Sequence, residues 1–307
     1  MATFQISYAN FIQQKLRRIL IKMGEAKLKE RDATFFVRTN DDIGSQIQAG
    51  ITYEQPVLEI IASIIKSRLC PDAIAFDVGS NIGNHAIRLS KLFKRVYSFE
   101  PNLSSYYAQL ANITANHIGN INVYNFGLSD KAEIAEMRIP REDNIGTARF
   151  SLHNETHTLD PLHDKEQKSI SLPPAKLVVG DAFISESKLA NENINFVKVD
   201  VEGMELNVLG GLHECLLSQH PVICLEALSS AFADKIIRYL ESLGYTHFSS
   251  IASTKLRLRS LAHATDLLRA KKVYYLKKYT QYAGANYRMI FASIIDLTEG
   301  DKEKEPA

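Results

Sequence analysis

The residues with the clearest chemistry lie in the stretch FDVGSNIGNH, which covers residues 76–85. Its two glycines, Gly79 and Gly83, permit a tight turn and a close approach of the backbone to a ligand. Further along the chain, Glu100 ends the run RVYSFE, 17 residues after Gly83. A carboxylate at that spacing can accept hydrogen bonds from both hydroxyls of a ribose ring. The combination predicts a nucleoside-binding site.

The residues between the glycines distinguish two kinds of nucleoside ligand. Dinucleotide sites favour the spacing G-x-G-x-x-G and present a helix N-terminus to a pyrophosphate. Here the spacing is G-x-x-x-G, Asn81 stands where a glycine would be favoured, and Asp77 precedes the loop. Asp77 would repel a pyrophosphate but would attract a sulfonium group. We therefore predict S-adenosylmethionine (SAM) as the ligand, with an NAD(P)-dependent oxidoreductase as the alternative.

A second group of charged residues follows two later apolar runs. KVDVEG contains Lys198, Asp200 and Glu202, and PVICLE ends in Glu226. Lys198 and Asp200 are two apart on a predicted strand, so they share a face and can pair. The carboxylates suit removal of a proton from an acceptor, or binding of a divalent cation that polarises it. A structural role, in which Glu202 and Glu205 cap the next helix, is the alternative.

The elements that must position these residues alternate between strand and helix. Short apolar runs are separated by helical patterns of 10–15 residues, which predicts an α/β fold with a doubly wound, mainly parallel sheet flanked by helices. Ligands of such sheets bind beyond the carboxyl ends of the strands. The predicted strands are AIAFDV, RVYSFEP, INVYNFGLSD, INFVKVDVEG, PVICLEAL, THFSSI and YRMIFASII.

The remaining segments define the predicted organisation of the chain. Residues 1–48 are predicted to be an amphipathic helical extension, and residues 49–298 the catalytic domain. Within that domain, the polar residues 141–175 are predicted to be a loop or lid, since they include three histidines and the pair Pro173–Pro174. Residues 252–283 are predicted to be a basic helical insertion, and residues 299–307 a disordered tail.

Charge is distributed unevenly along the chain. The net charge is +1, but residues 1–31 carry +5 and residues 254–278 carry +7, which leaves about −11 for the remainder. The first basic segment carries an apolar stripe, so it either docks on the domain or contacts an anionic membrane surface. The second either recognises an anionic acceptor or is a solvated hairpin. An acidic body without a known RNA-binding pattern predicts no specific nucleic-acid partner.

Cysteine usage and hydropathy indicate the compartment. The three cysteines, Cys70, Cys215 and Cys224, have no CxxC spacing and are predicted to be reduced and mostly buried. No apolar run approaches the length of a membrane span, and no secretory signal is recognisable. We therefore expect a cytoplasmic protein with peripheral membrane contact at most.

Several segments together resemble one known family. DVGSNIGNH is similar to motif I of class I methyltransferases and resembles the pattern D-V-G-A-N-x-G of the FkbM family, with Ser80 in place of the usual alanine. VKVDVEGMELNVLGG is similar to the family's block K-x-D-x-E-G-x-E-x-x-V-L-x-G. GITYEQP, SFEPN, LANITANH and NFGLSD resemble further family segments in the same order. The resemblance extends from about residue 40 to residue 296.

The resemblance implies a class I methyltransferase with a Rossmann-like fold and an antiparallel last strand. It implies a SAM-dependent O-methyltransferase acting on a small molecule, a saccharide or a glycolipid; a non-catalytic module that binds an adenosine ligand is a further alternative. Asp77, Gly79, Ser80, Asn81 and Gly83 would surround the methionine portion of SAM. Ribose and adenine would be bound by Glu100, Pro101, Gly127, Leu128 and Ser129, with Asp130 near the adenine amino group.

Catalysis of methyl transfer to a hydroxyl requires positioning and a base near the methyl group. Asp200 is the first candidate for the base or for an acceptor-orienting group, and Glu202 is the second. Lys198, His85 and Glu226 are expected at the same edge of the sheet. The histidines of residues 141–175 lack a second set of ligands, so no metal site is predicted there.

Overall fold

The computed structural model describes eleven stretches of the chain: residues 15–16, 18–19, 33–38, 41–49, 52–68, 72–139, 148–151, 170–227, 229–253, 274–279 and 289–298. The helices in these stretches are α1 (Asp42–Gln48), α2 (Gln55–Arg68), α3 (Asn84–Leu89), α4 (Leu103–Ala115), α5 (Gly180–Glu186), α6 (Glu205–Gly211), α7 (His213–Gln219) and α8 (Ser230–Ser242). The strands are β1 (Ile74–Val78), β2 (Arg95–Phe99), β3 (Ile121–Tyr124), β4 (Gly127–Ser129), β5 (Glu133–Ile139), β6 (Arg149–Ser151), β7 (Ile170–Val179), β8 (Ile194–Val199), β9 (Val222–Glu226), β10 (His247–Ser253), β11 (Tyr274–Lys278) and β12 (Met289–Ser293).

The central sheet has eight strands in the order β11-β10-β12-β9-β8-β1-β2-β3. The strands from β9 to β3 are parallel to one another, whereas β12 runs antiparallel to both of its neighbours. The predicted α/β fold, with a mainly parallel sheet and an antiparallel last strand, is confirmed. The chain order reverses beside β1, so the loops after β1 and β8 face each other across a crevice, where ligands of open sheets bind.

Both faces of the sheet are covered by helices because the central strands are apolar on both sides. On β1, Phe76 and Val78 pack with α5, α6, α7 and α8, whereas Ala75 packs with α2 and α3 on the opposite face. All five residues of β1 are buried, including Asp77. The site residues at the ends of these strands therefore rest on a rigid, doubly covered layer.

A second sheet of four strands, in the order β4-β7-β5-β6, adjoins the first and corrects two predictions. The predicted strand INVYNFGLSD is divided, because β3 belongs to the central sheet and β4 to the small one. The predicted loop at 141–175 is wrong for residues 149–151 and 170–175, which are strands. Pro173 and Pro174 lie within β7, at a register shift of its pairing with β5, where their missing N–H groups are tolerated. The rest of the predicted lid lies outside the described residues.

The two basic segments are described in part. Leu16 and Ile19 are helical, as predicted, and about half exposed (55% and 54%). Of the predicted helical insertion, residues 274–278 are instead the strand β11, paired with β10, and residues 254–273 and 280–283 lie outside the described part of the chain. Membrane contact through these segments, and the predicted domain limits, stay predictions. Within the described residues, no helix is long and apolar enough to cross a membrane.

Residues 33–38, which form no helix or strand, are hydrogen-bonded to side chains at the C-terminal end of α4. The Asn116 side chain accepts from the N–H of Thr34 at 2.8 Å and donates to its carbonyl at 2.7 Å. The Asn112 side chain accepts from the N–H of Phe36 at 2.6 Å. The Asn112 amide also donates to the carbonyl of Ile82 in the loop after β1, at 2.9 Å. Asn112 therefore joins the N-terminal segment to the predicted ligand loop.

Candidate active site

A cavity of about 200 Å³ lies beyond the carboxyl ends of β1, β2, β8 and β9. The sheet brings twelve of the fifteen predicted site residues to its wall: Gly79, Ser80, Asn81, His85, Glu100, Pro101, Gly127, Leu128, Lys198, Asp200, Glu202 and Glu226. The strand order gives the cavity a direction. Glu100 and Gly127 lie towards the β3 side, and Asp200 and Glu226 towards the β9 side.

The loop between β1 and α3 needs both of its glycines for close packing. Gly79 has a φ of 78°, and a Cβ atom there would lie 1.8 Å from the carbonyl oxygen of Asp200. Gly83, with a φ of 85°, precedes α3, and a Cβ atom there would lie 2.7 Å from Cγ of Gln109. Gly83 does not line the cavity, so its role is to bring the loop against α4. Asn81, between them, is also left-handed, with a φ of 49°.

Glu100 is held by two backbone donors. Its Oε2 accepts from the N–H of Asn81 at 2.8 Å, and its Oε1 from the N–H of Asn102 at 2.7 Å. Burial raises the pKa of Glu100 to about 7, although the hydrogen bonds from the two N–H groups act in the opposite direction. Each carboxylate oxygen keeps a second lone pair. The arrangement fits the acceptor of ribose hydroxyls that the sequence predicts.

The walls beside Glu100 suit an adenine ring. Pro101, Leu128, Met137 and Phe150 supply apolar surface. Asn102 also lines the cavity, and its buried amide nitrogen has no hydrogen-bond partner among the described residues. An adenosine has ring nitrogens and ribose oxygens that can accept a hydrogen bond from such a donor, and its flat ring fits an apolar slot. The residues present therefore fit the nucleoside portion of SAM.

Ser129 and Asp130 are placed differently from the expectation. Ser129 is 1% exposed and does not line the cavity. Its hydroxyl donates to Oδ1 of Asp130 at 3.2 Å, and the same oxygen accepts from Asn207 of α6 at 3.1 Å. Both side chains thus join β4 to α6, and their predicted role beside the adenine amino group has no support from this placement.

Asp77 also departs from its predicted position. Its carboxylate is fully buried beneath the loop, is absent from the cavity wall, and lies 3.7 Å from the Lys198 ammonium. Burial raises the pKa of Asp77, and Lys198 acts in the opposite direction. The two residues are opposite each other in the pairing of β1 with β8. The negative charge that was expected to face a sulfonium is therefore neutralised inside the protein by Lys198.

Lys198 also contacts Asp200, as predicted. Its Nζ lies 3.2 Å from Oδ2 of Asp200, and only 1% of the side chain is exposed. The carboxyl groups of Asp200 and Glu226 are hydrogen-bonded to each other. The pKa of Glu226 is raised to about 9, mainly by burial and to a smaller extent by the negative charges of Asp200 and Glu202. The raised pKa favours the protonated form of Glu226, which can donate this bond. The capping alternative applies to Glu205, which accepts from the N–H groups of Val201 (3.3 Å) and Gly203 (3.2 Å).

Three carboxylates at this end could meet around a small ion. Carboxylate oxygens of Asp200, Glu202 and Glu226 lie within 4.8 Å of one another. Lys198 already neutralises part of this charge, and a divalent cation here stays a prediction.

The sequence analysis missed several residues of the cavity wall, among them the titratable residues Tyr53 and Glu54. Tyr53 and Glu54 come from the segment GITYEQP, which resembles the family but was given no role in the site. Oε2 of Glu54 lies 3.3 Å from Nε2 of His85. Burial raises the pKa of Glu54 to about 7. The pKa of His85 is lowered well below its usual value, mainly by burial and secondly by the positive charge of Lys198. The only signal in the sequence for these two residues was their position directly before the buried helix α2.

Comparison with known proteins identifies the family of this chain. The model of the Methyltransferase FkbM domain matches residues 77–246. The hexuronic acid methyltransferase AglP of Haloferax volcanii is 32% identical over 153 residues, which cover 50% of this chain and 55% of that protein. The antimetabolite synthetase AmbE of Pseudomonas aeruginosa is 25% identical over 201 residues, 55% of this chain and 9% of that protein. The chain thus spans about half of the first relative and a small part of the second.

Solved structures of methyltransferases are also similar. The FkbM methyltransferase of Methylobacillus flagellatus is 15% identical with a TM-score of 0.42, over 74% of this chain and 44% of that one. The precorrin-6y C5,15-methyltransferase of Geobacter metallireducens is 13% identical with a TM-score of 0.41, over 78% and 86%. The family match, which exceeds half of the chain, decides between the predicted enzyme classes in favour of the methyltransferase. The chain belongs to the FkbM family of SAM-dependent methyltransferases.

Proposed function

We propose that the protein methylates a hydroxyl oxygen of a saccharide or glycolipid. The observation that carries the proposal is the position of Asp200, Glu202 and Glu226 on the cavity wall, at the end away from the adenosine-binding residues. Carboxylates at this end can accept hydrogen bonds from several hydroxyls at once, which suits a polyhydroxylated acceptor. The similarity to a hexuronic acid methyltransferase supports a saccharide as the acceptor class.

The cofactor would be held by residues from three strand ends. Glu100 and the Asn102 amide would bind the ribose and the base, and the backbone of Gly79, Ser80 and Asn81 would border the methionine portion. Bound SAM supplies a methyl group that its sulfonium already activates for transfer. The protein's own contribution is then to hold the acceptor in line with that methyl group and to exclude water.

Asp200 is suited to orient the acceptor. Lys198 and Glu226 fix its carboxylate from two sides, so the side chain presents its remaining lone pairs in one direction. The positive charge of Lys198 balances both Asp77 and Asp200 in a buried setting, where an unpaired charge would be costly. Glu202, held at a φ of 54°, completes the acceptor side of the wall.

Transfer of a labelled methyl group from SAM to a panel of neutral saccharides, uronic acids and glycolipids tests this function. We expect an alkali-stable O-methyl product and, for Asp200→Asn, a kcat roughly 100-fold lower with SAM affinity unchanged. Glu241→Gln, on the exposed surface of α8, is the matched control and should retain wild-type kcat. Methyl transfer to nitrogen alone, or transfer to no member of the panel by a protein that binds SAM, would overturn the proposal.

A further inference from the structure

We propose that Glu54 is the base that removes the proton of the acceptor hydroxyl, and that His85 is the positioning residue that holds Glu54 in place. The inference rests on the O-methyl transfer proposed above. It assigns to Glu54 a catalytic role that the sequence pattern had suggested for Asp200.

Glu54 is placed at the acceptor side of the cavity. It directly precedes α2, adopts a left-handed conformation with a φ of 50°, and lines the cavity together with Asp200 and Glu226. Its side chain is 17% exposed, and its buried Oε2 makes no hydrogen bond with the described residues. Because the side chain lines the cavity and is partly exposed, an acceptor that enters the cavity can contact it, while Oε2 lies buried beside His85.

Nε2 of His85 faces Oε2 of Glu54, and neither atom has a hydrogen-bond partner among the described residues. The amide nitrogen of Asn84 lies 3.3 Å from Nδ1 of His85, and because an amide NH₂ group only donates, Nδ1 must carry the lone pair. In the neutral ring the proton then resides on Nε2, the atom 3.3 Å from Glu54. His85 is 3% exposed, and burial beside Lys198 keeps it neutral. It can orient the carboxylate but cannot itself accept a proton at Nε2.

Asp200 and Glu54 differ in their partners. Asp200 is engaged by the Lys198 ammonium at 3.2 Å and by Glu226, so its lone pairs are partly committed. Among the described residues, Glu54 has no lysine or arginine within 4.0 Å. A carboxylate without a cationic partner is the better proton acceptor of the two.

The surroundings of Glu54 also bring its pKa close to neutral pH. The charged and titratable groups that face it are His85 from α3, Asp77 from β1, Lys198 and Asp200 at the end of β8, Cys224 and Glu226 from β9 and the adjacent Tyr53. Burial and Asp200 raise the pKa of Glu54 to about 7, with Lys198 opposing them. A general base is most effective when its pKa is close to the working pH.

Backbone strain is concentrated at the same place. Three residues other than glycine on the cavity wall have a positive φ: Glu54 (50°), Asn81 (49°) and Glu202 (54°). A glycine would adopt this conformation at lower cost, so a glutamate here keeps a carboxylate at a conformational penalty of about 1 kcal/mol. Such strain is commonly retained at functional sites.

The proposed step is balanced within the site. The acceptor O–H bond breaks and its proton passes to the Glu54 carboxylate, while the acceptor oxygen uses an electron pair to bond the methyl carbon. The electron pair of the broken carbon–sulfur bond stays on sulfur, which leaves as neutral S-adenosylhomocysteine. Glu54 then returns its proton to water when the products leave.

The pH dependence of kcat in the intact protein tests the proposal. For the wild type, we expect kcat to rise about tenfold per pH unit at low pH and to level off near pH 7. Glu54→Gln should bind SAM as the wild type does, lose roughly 100-fold or more in kcat, and show no such rise. His85→Phe, which removes the N–H donor, should move the rise to higher pH and lower kcat less.

The controls separate this inference from the proposed function. Glu59→Gln makes the same chemical change at an exposed position of α2, where the residue pairs with Arg88, and should leave kcat unchanged. Glu54→Asp keeps a carboxylate and should keep the pH dependence even if Glu54→Gln does not fold. Wild-type kcat and pH dependence in Glu54→Gln, or loss of the rise in Glu54→Asp, would refute the inference while O-methylation stands. Absence of O-methyl product from the wild type would refute the proposed function instead.

Discussion

Glu100 shows how one carboxylate can serve both the fold and a ligand. The N–H groups of Asn81 and Asn102 each use one lone pair of a different oxygen, and this fixes the plane of the carboxylate. The same two bonds tie the loop after β1 to the start of α4. The backbone thus fixes the geometry that we propose for ribose binding before any ligand arrives.

Glu100→Gln should weaken SAM binding at least tenfold, or about 1.4 kcal/mol. The new NH₂ group would face one of the two backbone donors, so a hydrogen bond to the protein and an acceptor for ribose are lost together. Isothermal titration calorimetry measures the change in Kd. Glu133→Gln, on an exposed residue of β5, is the control, and a Glu100→Gln protein within twofold of wild-type affinity would contradict the assignment.

Lys198 is a second residue with a defined electrostatic role, since its ammonium balances the charge of buried carboxylates. Its ammonium is the cation between Asp77, which is fully buried, and Asp200. Lys198→Met should lower the free energy of unfolding by about 3–5 kcal/mol because it leaves a buried carboxylate unpaired. Asp77→Asn in the same protein should restore part of this loss. Denaturant unfolding measures both, with Lys235→Met on the exposed face of α8 as control; additive losses in the double variant would argue against the pair.

At the scale of elements, α4 connects the N-terminal segment to the cofactor loop. Asn112 and Asn116 are one helical turn apart, so both face residues 33–38. Asn112 is fully buried and bonds the loop at Ile82 as well, whereas Asn116 bonds Thr34 and the helix itself. The two asparagines therefore differ in whether they touch the cofactor loop.

Asn112→Ala should therefore weaken SAM binding severalfold and lower the free energy of unfolding by about 1–3 kcal/mol, because it leaves the Ile82 carbonyl without its donor. Asn116→Ala is the matched control, since it removes the contact with Thr34 and a bond within α4 but none to the loop after β1. Both variants should expose residues 33–38 to protease. Equal SAM affinities for the two proteins would show that Asn112 does not support the loop.

The elements also show what the sequence could and could not predict. Mainly apolar runs such as β1 and β9 were identified because burial on both faces leaves a nearly continuous hydrophobic pattern. The strand β7 was missed because much of it is exposed and it contains two prolines, so its pairing with β5 is not visible locally. The strand β11 was assigned to a helical insertion because its partner, β10, is distant in sequence and its basic residues are exposed.

At the scale of the whole molecule, the sheet explains why most site residues were found. Residues that follow parallel strands must meet at one edge, so Asp200, Glu100 and Gly79 could be placed without knowledge of any contact. The position of Asp77 could not be predicted in this way. Its contact with Lys198 depends on the register between β1 and β8, which places the two residues opposite each other. Glu54 was missed because a residue before a helix carries no periodic signal.

The same assembly of buried carboxyl groups makes the stability of the ligand-free protein depend on pH. The pKa values of Glu54, Glu100 and Glu205 are raised to about 7, and that of Glu226 to about 9, mainly by burial. The folded protein therefore retains protons that the unfolded chain releases near pH 4.5. This stabilisation is complete below pH 4.5 and is lost as the pH rises through the folded pKa values.

We accordingly expect the Tm of the ligand-free protein to fall as the pH rises from 7 to 9, and above pH 8 Glu226 is the one of these four carboxyl groups that still titrates. Above pH 7, His85 is neutral in both the folded and unfolded chains, so it does not offset the fall. Glu226→Gln should flatten the profile over this range by on the order of 2 °C or more, because it removes the group with the highest pKa among these carboxyls. Glu241→Gln, whose side chain is exposed on α8, should follow the wild type. Parallel profiles for the wild type and Glu226→Gln would mean that Glu226 is already ionised in the folded protein, and its hydrogen bond to Asp200 would then lack a proton.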